Sequence, residues 1–192
     1  MKIVGHTGLV DHSNIEPIGV GDTGYVRERI SIAMVFGPCG DFEFADDLDL
    51  LSALRGAETQ TLVPRGRLPE DGFTTNFLWG RTRDALGVRG PIRQSTGYRL
   101  DHRAFEAFRA LHTSTLAGVN DTSVKAFLLF LARWSPEGVR EVPLLEQRVG
   151  SAVAFRFRYD DEFLHEKQAA RVAWQRRLGA SASRQMRLQP SE

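Results

Sequence analysis

Apolar positions change period along the chain, from two residues in the first third to between three and four later on. In "YVRERISIAMVF" (25–36) Ile30, Ile32, Met34 and Phe36 alternate with other residues, which predicts one strand with an apolar face. "GPCGD" (37–41) has turn composition, and "FEFADDLDL" (42–50) alternates again through Phe42 and Phe44, so the pair predicts a hairpin. "LDLLSALRG" predicts a short helix, and "TQTLVP" a short strand stopped by Pro64. Asn76 is placed to cap a helix over 77–86 that Gly87 stops. "GVRGPIRQSTGYRLD" (87–101) reads as a loop.

Helical spacing then dominates. Phe105, Phe108, Leu111 and Leu116 share a stripe, with Asp101 as cap and Gly118 as stop. Val124, Phe127, Leu128, Leu131 and Trp134 form a second stripe, ended by Pro136. The short link between them predicts an antiparallel helical hairpin. "SAVAFRFRYD" (151–160) alternates apolar residues with Arg156 and Arg158, a strand with one basic face. "EKQAARVAWQRRLG" (166–179) carries Ala170, Trp174 and Leu178 on one helical stripe. The sum is an α+β domain over 26–178: a small mixed, largely antiparallel sheet packed with a helical hairpin and a C-terminal helix. Residues 1–25 read as an irregular segment and 179–192 as a mobile tail.

Composition adds little until it is resolved by position. The chain has 192 residues, 42% hydrophobic, enough for one domain with a core, and a formal net charge of +1. Residues 1–60 hold 4 Lys/Arg against 10 Asp/Glu, whereas 61–103 hold 8 against 4 and 151–192 hold 8 against 5. An acidic first third and two basic blocks can build a basic face that the net charge hides. Only 3 of the 25 cations are lysines; arginine suits bidentate phosphate and base contacts, and high genomic GC content enriches it equally well. A single cysteine, Cys39, excludes an internal disulfide and a cysteine-cluster zinc site. With no signal peptide and no apolar run of membrane-spanning length, the sequence reads as soluble and cytoplasmic.

Motifs that suggest catalysis fail on context. "GVGDTG" (19–24) matches a nucleotide-binding glycine pattern, but a strand is predicted after it where a helix is needed. "HEKQA" (165–169) lacks the second histidine of a zinc-protease helix, and no Gly-x-Ser-x-Gly elbow occurs. His112 reads as a satisfied histidine beside an apolar stripe, and Asp46, Asp47 and Asp49 as a solvated acidic turn. No enzyme activity, cofactor or metal is expected.

Four blocks carry a likeness: "ISIAMVF" (30–36); "LVP" (62–64) followed by "GFTTNFLWGRTRDALG" (72–87); "FEAFRALHTSTLAGVNDTSVKAFLLFLARWSPE" (105–137); and "VAFRFRYDDEFLHEKQAARVAWQRRL" (153–178). In this order and spacing they resemble the N-terminal region of the large subunit of the type I-C CRISPR interference complex, Cascade. The resemblance implies a non-catalytic subunit in antiviral defence, seated beside the guide RNA 5′ end on the Cascade backbone subunits. It would recognise the short protospacer-adjacent motif in double-stranded target DNA before a helicase-nuclease is recruited. Guide pairing then reads the long sequence and the protein only the short motif. Three departures stand out. The family's apolar opening helix is replaced by "MKIVGHTGLVDHSNIEPIG", a Lys-Arg pair by Pro69, Glu70 and Asp71, and the chain ends where the family's central region would begin. The expected alternatives are a fragment, a compact subunit, or a captured piece acting as a protein–protein decoy that inhibits interference.

With that resemblance, residues 72–76 read as a surface bend rooted by Phe77, Leu78 and Trp79. Gly72 would permit close backbone approach to a groove, and Thr74, Thr75 and Asn76 would offer hydrogen bonds to base edges or sugars. Phe73 would wedge or stack at a base step. Arg65, Arg67, Arg81 and Arg83 would contact phosphates. The competing reading makes Asn76 a helix cap, Phe73 its hydrophobic staple and the arginines solvated. Arg156 and Arg158 read equally as contacts to RNA or DNA backbone and as charges on an exposed edge strand. Trp79, Trp134 and Trp174 read as core.

Overall fold

The first apolar run folds as two strands, not one. The computed structural model describes residues 24–56, 60–65, 67–70, 73–90 and 97–187. Its first half runs β1 (Tyr25–Arg29), β2 (Ile32–Phe36), β3 (Phe42–Asp47), α1 (Leu48–Arg55), β4 (Gln60–Pro64), β5 (Arg67–Glu70), β6 (Phe73–Asn76), β7 (Trp79–Arg81) and α2 (Thr82–Leu86). The second half runs β8 (Val88–Arg89), β9 (Arg99–Leu100), α3 (His102–Leu116), α4 (Thr122–Arg133), a 3-10 turn (Pro136–Glu141), α5 (Pro143–Gln147), β10 (Ala152–Phe157), a second 3-10 turn (Leu164–Glu166) and α6 (Gln168–Arg187).

The central sheet has the order β3-β2-β10-β7, with β2 and β10 parallel and the outer pairs antiparallel. The mixed, largely antiparallel sheet expected from the pattern is thus present. Period-two alternation sends Ile32, Met34, Phe36, Val153, Phe155 and Phe157 to one face, where they meet Phe105, Phe108, Phe127 and Phe130 of the α3–α4 hairpin. Phe36 and Phe155 lie 5.7 Å and 4.9 Å from the Phe127 ring. The opposite face carries Trp79, Ala152 and Ala154 and is roofed by the separate β1–β4 ribbon, through Ile30 and Val63. All five β2 residues are therefore buried. Ile30 departs from expectation: the strand breaks between Arg29 and Ile32, so Ile30 joins the second face rather than the face of Ile32.

The β2–β3 hairpin forms as predicted, and Gly40 shows why its turn is tight. Its φ is 77°, and an added Cβ would lie 2.4 Å from the Phe130 backbone nitrogen in α4. Asp101 and Asp121 cap α3 and α4 by accepting from the Ala104 and Val124 amides at 3.2 Å and 3.0 Å.

Two expectations fail, and one helix is longer than expected. Residues 73–76 are not a bend with a capping asparagine. They pair antiparallel with β5, Asn76 opposite Arg67 and Glu70 opposite Phe73. Aromatic and β-branched residues there outweigh the capping signal, and the helix begins only at Thr82, with no side-chain cap, before the expected stop at Gly87. The expected loop at 87–101 contains the β8–β9 pair. Helix α6 continues to Arg187, past the point where the tail was expected to begin; its Ala, Ser, Gln, Met and Arg residues are compatible with helix, and no proline intervenes. The irregular segment expected at 1–25 falls outside the described residues except for Gly24 and Tyr25, as does the glycine motif except for Gly24.

Candidate nucleic-acid interface

The "NFLW" segment is a root, as expected, but its mechanism is not visible in local spacing. Phe77, Leu78 and Trp79 are all buried. Phe77 is stacked between two rings, 4.7 Å from Trp174 of α6 and 5.4 Å from His112 of α3, with interplanar angles of 7° and 4°. Leu78 has φ 63°, a left-handed conformation rarely taken by a γ-branched residue. Its amide donates to His112 Nε2 at 2.7 Å, while His112 Nδ1 lies 2.6 Å from the Phe108 carbonyl oxygen. An acceptor at Nε2 places the proton on Nδ1, which donates to Phe108, so both ring nitrogens are satisfied in the neutral form. Burial lowers the His112 pKa to about 4, against the opposing bond to Phe108.

Trp79 completes the root differently. Its Nε1 donates to the Pro64 carbonyl at 3.1 Å, drawing the end of β4 against β7. Arg65 follows Pro64 and Arg81 lies two residues after Trp79, and both are exposed. Arg81 has a long contact, 3.5 Å, to the Gly150 carbonyl. The β5–β6 ribbon packs along α3.

The remaining candidates divide. Thr75 and Asn76 are 2% and 6% exposed, so they are not displayed at the surface as expected. They sit at the root end of β6, where the chain turns inward to Phe77. Thr74 and Phe73 belong to β6 farther from the root, and Arg67 to β5; Gly72 lies outside the described residues. Arg83 donates to Asp101 at 2.8 Å and Arg89 approaches the same carboxylate at 3.8 Å. Burial works to raise the Asp101 pKa, but the Arg83 bond, the Ala104 amide and the two positive charges lower it overall.

Arg156 and Arg158 are also engaged. Arg156 reaches Asp46 at 2.5 Å and Arg158 reaches Glu43 at 2.9 Å, both on β3 across the intervening β2. Arg148 pairs with Asp47 at 2.7 Å and Arg29 with Asp49 at 2.8 Å. The acidic turn expected to be solvated is therefore a set of internal counter-charges, and the charge asymmetry along the chain is partly cancelled by folding. These pairs join residues 20 to 115 positions apart, so spacing gave no signal for them.

Trp134 and Trp174 are core as read, the former donating to the Leu86 carbonyl at 3.2 Å. Among the described residues no cluster of three metal-ligating side chains occurs, and no helix is long and apolar enough to cross a membrane.

The sequence matches the family described as CRISPR-associated protein (Cas_Csd1) over residues 10–189. The chain belongs to this CRISPR-associated family. No curated protein matches it. Family membership agrees with the resemblance carried by the four sequence blocks.

Proposed function

We propose that this chain is a DNA-recognition subunit, or part of one, in a type I-C-like Cascade, and that it reads the protospacer-adjacent motif without catalysing a reaction. The observation that carries this reading is the β5–β6 ribbon: it is fixed at its base by the Phe77 stack and the Leu78–His112 bond, and flanked by exposed Arg65 and Arg81. A ribbon anchored to the core, with exposed arginines before and after it in the chain, suits contact with a duplex groove while the arginines hold the phosphates. In this reading Gly72, Phe73 and Thr74 contact the bases, Arg65, Arg67 and Arg81 contact the phosphate backbone, and the buried Thr75 and Asn76 support the ribbon. Arg83, Arg156 and Arg158 act as internal ties. Guide RNA, backbone subunits and the later helicase-nuclease are the partners in this reading.

The same ion pairs favour a second reading. Carboxylates Glu43 and Asp46 neutralise Arg158 and Arg156, which suits a mimic that docks on protein and blocks the full subunit. Interference in cells separates the two. A recognition subunit restores activity to a Cascade lacking its large subunit. Inhibition of a complete system instead establishes the decoy.

A further inference from the structure

A cavity of about 510 Å³ lies between the β1–β4 ribbon and the start of α6. It is lined by Arg27, Gln60, Thr61, Glu162, Glu166 and Arg171. Its volume is within the usual range for small-ligand sites. Its charges are unevenly satisfied. Glu166 accepts the Thr61 hydroxyl at 3.0 Å and the Phe163 amide at 2.8 Å, and Glu162 lies 3.7 Å from Lys167. Both carboxylates are thus engaged by protein groups.

The two arginines meet no carboxylate among the described residues. Arg171 stacks over the Tyr25 ring at 5.7 Å, which orients its guanidinium, while its buried Nε has no hydrogen-bond acceptor among the described residues. Arg27 is exposed at the mouth, and neither arginine forms an ion pair among the described residues. A buried guanidinium nitrogen without an acceptor is costly in a folded protein and is completed by a water or an anion that enters the site. Beside Arg171, His165 is 1% exposed and neither ring nitrogen has a hydrogen-bond partner among the described residues. Burial, and then the Arg171 charge, hold it neutral, with its pKa lowered to about 3. The two guanidinium groups, planar forks matched to phosphate oxygens, are the cations of a lining that also holds the Glu162 and Glu166 carboxylates.

We propose that this cavity binds a phosphate group, carried by a free nucleotide or by the end of a single nucleic-acid strand, with Arg171 and Arg27 as the phosphate ligands and Gln60 at its edge. The site is distinct from the β5–β6 ribbon and does not depend on how that ribbon is used.

The test is fluorescence anisotropy of the full chain with a short, 5′-phosphorylated, 3′-labelled single-stranded DNA, with AMP and inorganic phosphate as competitors. Arg27→Gln and Arg171→Gln each weaken binding by about tenfold or more, the scale of a lost charge-assisted contact. Arg140→Gln, an exposed arginine elsewhere, leaves it unchanged. Competition by AMP assigns the site to nucleotides; binding that AMP does not displace assigns it to a strand. Thermal melting accompanies each variant. If Arg171→Gln unfolds, Arg27→Gln alone decides, since Arg27 is exposed and forms no ion pair among the described residues. No binding of DNA, AMP or phosphate up to about 1 mM, or unaltered affinity in a folded Arg27→Gln protein, overturns the proposal. Motif recognition is measured separately with Arg81→Ala, so failure of one site is distinguishable from failure of the other.

Discussion

His112→Gln tests the root of the ribbon through its pH dependence. His112 is fully buried, with its pKa lowered to about 4; an unfolded histidine titrates near ~6.5. Because the folded value is depressed, the contribution to stability is complete above about pH 6.5 and drains away as the pH falls toward the folded pKa. From about pH 7.5 to about pH 5 the unfolded chain gains most of one proton at this residue and the folded chain almost none, a loss of about 2 kcal/mol. His165, with its pKa lowered to about 3, contributes a further loss of about 2 kcal/mol over the same interval. These two residues thus remove about 4 kcal/mol from the wild type. Glutamine retains an acceptor for the Leu78 amide but does not titrate, so His112→Gln halves this pH-dependent loss, at a cost of about 1 kcal/mol in ring stacking at all pH values. Urea unfolding at the two pH values measures the difference. An unchanged pH dependence would refute the reasoning that burial holds this histidine neutral beneath Leu78.

Other perturbations reach different parts of the fold. Gly40→Ala places a methyl group against the Phe130 and Leu129 backbone and costs more than about 3 kcal/mol, whereas Gly56→Ala, with a similar φ and open space around it, costs about 1 kcal/mol; thermal melts compare them. Arg156→Gln breaks the pair with Asp46 and lowers stability by about 1 kcal/mol, while duplex affinity stays unchanged in a filter-binding assay. Asn76→Ala lowers the melting temperature because the side chain is buried at the ribbon root. A mutant with full stability and lost motif discrimination would return Asn76 to the reading surface.

What was legible followed from local periodicity. The alternation in 32–36 and 152–157 and the stripes of α3 and α4 predicted the sheet and the helical hairpin because each pattern is set by one element burying one face. The ribbon was misread because Asn76 also resembles a helix cap, and the identity of residues 73–76 alone does not reveal that β5 lies alongside. The break at Ile30 was hidden for a related reason: both faces of the sheet are covered, so an apolar residue is equally at home on either. The site was obscured most by distant partners. Nothing near "NFLW" announces that an α3 histidine supports Leu78, and nothing near Arg156 or Arg158 announces Asp46 or Glu43.

The central claim is that Arg65 and Arg81 hold a duplex beside the ribbon. The most direct measurement is the salt dependence of duplex affinity for the assembled complex, comparing the wild type with an Arg65→Ala, Arg81→Ala double variant. Two lost phosphate contacts reduce the slope of log K against log salt by about 1.8 and weaken binding alike for all motifs. An unchanged slope, with affinity intact, would contradict the account.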